Sequence, residues 1–309
     1  MRVPSALVSR IALVNLVANG AIVVTGGAVR LTGSGLGCPT WPRCTDDSFV
    51  ATPELAGHGA IEFGNRLLTF VLAAVAIATV VAVFRSGRRD LRPLALVAFL
   101  GIPAQALLGG VTVLTGLNPW TVAAHFLLSS VLVAVSTVLW LRSREPGVGR
   151  PLVRRPIALL VGGISAVTAA VLVLGTVVTG SGPHSGDLDG SGAPSGGRMG
   201  FDPETVSQLH ADAVFLLVGL TVALLVALHA MDAPGRVRRA ARDLLAVQLL
   251  QGVVGFVQYF THLPVVLVLL HMLGAVLVTA YTARLAWSVR GPATEQPLDA
   301  PAAQVTAAR

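Results

Sequence analysis

The sequence predicts an all-α integral membrane protein of eight transmembrane helices, arranged as two pseudo-symmetric four-helix bundles with both termini cytoplasmic. Three observations predict it. The 309 residues are 54% hydrophobic and only 12% charged, with a mean hydropathy of +0.76, far outside the usual balance of soluble domains. Eight apolar runs approach or exceed the ~20 residues that a hydrocarbon core demands of one helix. The basic residues, all of them arginine, fall in alternate connections between those runs rather than on one domain, which argues against a nucleic-acid binder despite the net charge of +7.

The runs lie at 11–29, 61–84, 94–114, 121–141, 157–178, 206–230, 244–260 and 264–287. The first follows Arg2 and Arg10 as a signal peptide would, but it is too long for an h-region and lacks a small-x-small cleavage site, so it is read as a helix. Arg85, Arg88, Arg89 and Arg92 separate the second and third runs, Arg142 to Arg155 the fourth and fifth, and Arg236 to Arg242 the sixth and seventh. By the positive-inside rule these connections are cytoplasmic. The others carry Asp46, Asp47, Glu54, Asp187, Asp189, Asp202 and Glu204 and face outward. The outer segment 180–200 offers a partial calcium-loop pattern from Asp187. Arg198 stands where that loop needs a bidentate acid, so a flexible loop is expected instead.

An internal repeat divides the chain. Gln105 to His125 and Gln251 to His271 are equal intervals, each with a glycine four residues after the glutamine and a short proline-containing outer turn. TGSG at 32–35 returns at 179–182. Two four-helix halves follow, 1–145 and 157–290, joined by a basic linker at 146–156 and followed by a tail, 291–309, whose Ala/Pro/Thr-rich composition predicts disorder.

Polar side chains at membrane depth are functional candidates when they face a bundle interior. Glu62 with Asn65, then His125, His210 and His271, all fall near the outward ends of even-numbered helices, at equivalent places in the halves. A lone intramembrane histidine can simply satisfy a backbone carbonyl. Two on facing helices can hold a haem iron from both axial sides, and His210 with His271 form such a set. The first half offers His125 and a carboxylate, Glu62, a set better suited to chemistry than to electron transfer. His58 is a reserve ligand. His229 reads as a snorkelling side chain and His184 and His262 as solvated loop residues, while Arg30 and Arg66 could meet haem propionates or lipid headgroups. Cys38 and Cys44, the only cysteines, lie on the oxidising side, which suits a disulfide of ~2–3 kcal/mol; two thiols without a histidine pair are a poor zinc site.

TGGAVRLTGSGLGCPTWPRC at 25–44, IEFGNRL at 61–67, GPHSGD at 182–187 and the two Gln-to-His intervals together resemble the haem A synthase family over residues 10–290. The resemblance implies a multi-pass enzyme of the cell (cytoplasmic) membrane, its active site toward the outer face, that oxidises the C8 methyl of haem O to a formyl group by successive hydroxylations. It implies a haem b cofactor on His210 and His271 in the C-terminal half, and a substrate site at Glu62 and His125, with Glu62 as an acid/base or charge-stabilising residue. Its implied partners are haem O, the bilayer and an electron donor, with haem O synthase as a candidate neighbour, and no nucleic acid. It also implies the Cys38–Cys44 disulfide, structural or redox-active. At Asn65 the chain departs from the pattern, which has histidine there, so His125 is left as the axial ligand of the substrate. Two other readings use the same residues: a haem b cytochrome that only transfers electrons, and a transporter, against which the absence of midplane charges counts.

Overall fold

The structure is a computed structural model that describes residues 3–145, 149–183, 185 and 196–291. Its eight long helices are α1 (Ser5–Leu31), α2 (Ala56–Ser86), α3 (Arg92–Leu114), α4 (Pro119–Ser143), α5 (Arg155–Ser181), α6 (Pro203–Ala230), α7 (Gly235–Phe260) and α8 (Val265–Ser288). All eight are long and apolar enough to cross a membrane. Each matches one of the eight apolar runs, Pro264 of the last run standing at the N-cap of α8. The largest boundary difference is at α7, which begins at Gly235 rather than at 244. Arginine is a good helix former, so the segment RVRRAARD ends the membrane-compatible stretch without ending the helix.

Start signals are local. Asn118 and Asp202 cap α4 and α6 through bonds from Trp120 N (3.0 Å) and Thr205 N (2.8 Å), and Pro119 and Pro203 follow at the first helical position. Donation from the Thr205 hydroxyl and backbone N–H holds the Asp202 carboxyl below the usual carboxylate range. The α3–α4 and α7–α8 turns have matching backbones. Gly116 and Leu117 in one, and His262 and Leu263 in the other, are left-handed, and each leucine N–H donates to a carbonyl five residues back. His262 is therefore a turn residue held at φ 61° where the first half uses glycine.

Packing follows the repeat. In the first half α1 and α3 each pack against both α2 and α4; in the second, α5 and α7 each pack against both α6 and α8. Even-numbered helices therefore sit diagonally in each ring of four, and α4 meets α8 between the rings, flanked by α1–α8 and α4–α5 contacts. The dry cores lie toward the arginine-rich ends. Val8, Ala12, Val83, Leu91 and Leu139 form one, and Ile157, Ile164, Leu224, Leu228, Leu244 and Leu285 another. Gly101 lets α3 approach α4 closely, because a Cβ there would stand 2.3 Å from a methyl of Leu132. Gly101→Ala is expected to destabilise the detergent-solubilised protein by ~1–3 kcal/mol, read as a lower melting temperature, although alanine is the better helix former.

At the arginine-rich end the linker is stitched down rather than loose. Arg150–Pro151 pair antiparallel with Arg290–Gly291, Leu152 N donates to Val289 O (2.8 Å), and Leu152 is buried. Glu145 joins the halves by accepting from Trp287 Nε1 (3.1 Å) on α8 and pairing with Arg236 (2.7 Å) on α7. Residues 146–148, and the expected tail beyond Gly291, lie outside the described residues.

Candidate functional site

Asn65, His125, His210 and His271 sit six to nine residues inside the same ends of α2, α4, α6 and α8, the ends that also carry the disulfide loop. At 1.5 Å per residue that is a depth of roughly 10 Å, beyond the dry cores. His210 and His271 lie on α6 and α8, the diagonal pair of the second ring. The Nδ1 atoms of His125, His210 and His271 are buried without a hydrogen-bond partner, and the His210 ring also meets the backbone of Val171. Buried polar atoms are normally satisfied, so three such imidazoles at one depth mark a place built for a group that contacts rings rather than for apolar packing. Among the described residues no three His, Cys, Asp or Glu side chains cluster to hold a bare metal ion.

The repeated glutamines do not join that group. Gln105 Nε2 donates to the backbone carbonyl of His125 (3.1 Å) and to Ser129 Oγ (2.6 Å); Gln251 Nε2 donates to the carbonyl of His271 (2.8 Å). The twenty-residue spacing is thus a contact between neighbouring antiparallel helices. Asn65 is tied to α1, its Oδ1 accepting from Thr25 Oγ1 (2.9 Å).

Glu62 is 5% exposed and heavily engaged. Its Oε2 accepts from Cys38 N (2.6 Å), and its Oε1 accepts from Arg66 Nε (3.0 Å) and Nη2 (2.5 Å). Arg66, one turn on, also donates to the carbonyls of Cys38 (2.9 Å), Thr40 (3.1 Å) and Arg43 (3.0 Å). The pair therefore grips the loop closed by the Cys38–Cys44 disulfide, whose cysteines are fully buried. Arg66 was expected to face propionates or headgroups; its hydrogen bonds go to the loop instead. The i, i+4 spacing of Glu62 and Arg66 was the available signal.

Two further loop contacts escaped the sequence reading. Trp41, preceded in the loop by Thr40 and followed by a cis peptide to Pro42, lies on α3 where a Cβ at Gly110 would be 2.5 Å from its ring. Gly110 neighbours Gly109, on which the His125 ring rests. Gly37 passes so close to α2 that a Cβ would stand 2.3 Å from His58 O. His58, the reserve ligand, is exposed and joins Ser34 Oγ through Nδ1 (2.9 Å), fastening the loop. His229 Nδ1 contacts Leu225 O (2.8 Å) at the far end of α6. His184, Asp187 and Asp189 lie outside the described residues.

Fold and site together define a multi-pass helical membrane protein whose second ring carries a histidine on each of two diagonal helices and whose first ring carries a third on α4. Over residues 9–283 the chain matches the COX15-CtaA family, described as cytochrome oxidase assembly protein, and it belongs to that family. It is 35% identical over 122 residues to a protein named heme A synthase from Listeria welshimeri (38% of this chain, 40% of the relative). It is 30% identical over 133 residues to a heme A synthase from Halalkalibacterium halodurans (42% and 44%), and 35% over 125 residues to one from Bacillus pumilus (39% and 39%). These aligned stretches span about two fifths of the curated relatives' length.

Proposed function

We propose that the chain is a haem A synthase of the cell membrane, oxidising the C8 methyl of haem O to a formyl group. The observation that carries this reading is the placement of His125, His210 and His271 at one depth on α4, α6 and α8. Neutral imidazole is a good haem-iron ligand, so the donor set fits the cofactor. His210 and His271 would hold haem b from the two diagonal helices of the C-terminal half, 157–290. A haem held there supplies one-electron transfer.

The N-terminal half, 1–145, takes haem O as its substrate. His125 is its axial ligand, and Asn65, its amide oxygen occupied by Thr25, is not a second one. The methyl carbon is hydroxylated twice, each hydroxylation using dioxygen as oxidant with two electrons from the donor and two protons and releasing one water, and the resulting gem-diol loses water to give the aldehyde. Of the two roles open to Glu62, the hydrogen bonds it accepts from Arg66 and Cys38 favour the charge-stabilising one, since they tie the carboxylate into the anchor of the disulfide loop. The arginine-rich connections support a topology with both termini in the cytoplasm and the site toward the outer face. An electron donor and haem O synthase complete the set of partners.

The test is to express the full chain in cells that make haem O but not haem A, then extract the haems. A formyl haem, identified by mass and by a red-shifted pyridine haemochrome, is the expected product. Unchanged haem O alongside a haem-loaded, folded protein would instead support the electron-transfer cytochrome.

A further inference from the structure

A haem-ligating histidine is commonly oriented by a hydrogen bond at the ring nitrogen facing away from the iron. Here the Nδ1 atoms of His125 and His271 have no such partner, so something else must fix these rings. The same two contacts surround both. A glutamine on the preceding helix donates to the histidine's own carbonyl, at 3.1 Å from Gln105 and 2.8 Å from Gln251. One turn further along that helix a glycine faces the ring. A Cβ would stand 3.1 Å from His125 Cε1 at Gly109 and 3.2 Å from His271 Cε1 at Gly255. On α5, Gly175 faces His210 Cε1 in the same way at 3.3 Å, and on α1 Gly26 faces the Asn65 amide nitrogen at 4.0 Å. Every odd-numbered helix thus offers a glycine to the side chain on the even-numbered helix that follows it. These distances are tighter than ordinary van der Waals contact at the three histidines and ordinary only at Asn65.

We infer that Gly109, Gly175 and Gly255 are ring seats, and Gln105 and Gln251 backbone clamps, that together orient the histidines for haem in place of a hydrogen bond at Nδ1. The inference rests on the haem reading above. The glutamine fixes the height of the histidine Cα, and the glycine lets the imidazole lie against helix backbone and limits its rotation. In the second half the clamp is packed as well as bonded. A Cβ at Gly274, one turn past His271, would overlap the Gln251 amide. In the first half Ser129 Oγ donates to the same His125 carbonyl (3.0 Å), so that clamp is doubled. These are positioning residues, since none of them touches the iron.

α7 supplies its own control. Gly252 is three residues before Gly255 and a Cβ there meets nothing within 4 Å. The experiment compares full-length, detergent-purified unsubstituted chain, Gly252→Ala, Gly255→Ala and Gln251→Met, measuring haem per polypeptide, the low-spin signal of the oxidised haem and its midpoint potential. Gly252→Ala is expected to match the unsubstituted chain in all three. Gly255→Ala and Gln251→Met are expected to shift the low-spin signal and the potential, or to cut haem content several-fold, with the elution profile of the protein unchanged. A haem-loaded Gly255→Ala with the signal and potential of Gly252→Ala would overturn the inference and leave the haem reading intact, and Gln251→Met decides the point should Gly255→Ala not fold. A haem-free unsubstituted chain, purified from haem-replete cells, would remove the haem reading and this inference with it.

Discussion

His271→Ala and His125→Ala should fail in different ways. On the proposed haem reading, His271→Ala removes one of the two histidines that would hold haem in the C-terminal half, and the purified chain is expected to lose its haem spectrum and, with it, haem A production. His125→Ala leaves His210 and His271 in place. Its resident haem spectrum should remain, while haem A falls to the background of cells lacking the chain. The separation follows from the packing: His125 belongs to the ring of α1 to α4 and His271 to the ring of α5 to α8, although α4 and α8 touch. Reduced-minus-oxidised spectra of the purified variants, with extracted haems from the same cells, check both arms. Equal loss of resident haem in the two variants would contradict a division of labour between the halves.

The second large effect is expected at Arg66. Its guanidinium satisfies Glu62 and three loop carbonyls, and Glu62 is only 5% exposed. Breaking a buried ion pair by deleting one partner is far more damaging than replacing both, at ~3–5 kcal/mol. Arg66→Ala should therefore lower the melting temperature by several degrees, expose Cys38–Cys44 to reductant and reduce haem A formation. Adding Glu62→Gln to Arg66→Ala should recover part of the stability, because no charge is then left uncompensated, but not the activity. Thermal melts in detergent and the rate of disulfide reduction distinguish these outcomes.

Much of this molecule could be read along the chain. Length and hydropathy are one-dimensional properties, so the eight helices followed directly, and the Gln-to-His repeat marked a contact that recurs in both halves. Its chemistry was less legible. The interval marked the two pairs without showing their contact, in which the glutamine amide grips the histidine's carbonyl. Glycines were visible four residues after each glutamine, but a glycine's purpose depends on what lies across the gap. Only packing shows that Gly109 and Gly255 face rings while Gly252 faces nothing. Arg66 looked like a residue for an external anion because, beyond Glu62 one turn before it, its partners are backbone carbonyls of a loop, which no residue pattern announces. The α7 start was misjudged because a charge run marks the edge of the bilayer and not of the helix.

The adjoining glycines of α3 carry a consequence of their own. Gly110 bears Trp41 from the disulfide loop and Gly109 bears His125, so the covalent state of that loop and the posture of the His125 imidazole are separated by one peptide unit. In the second half the position matching Gly110 is Phe256, exposed and stacked at 6.4 Å on Phe260; no indole rests there. Linkage is reciprocal: whatever free energy a seated loop contributes to an occupant at His125, that occupant returns to the loop. A filled first half would then hold its disulfide loop down more firmly than an empty one.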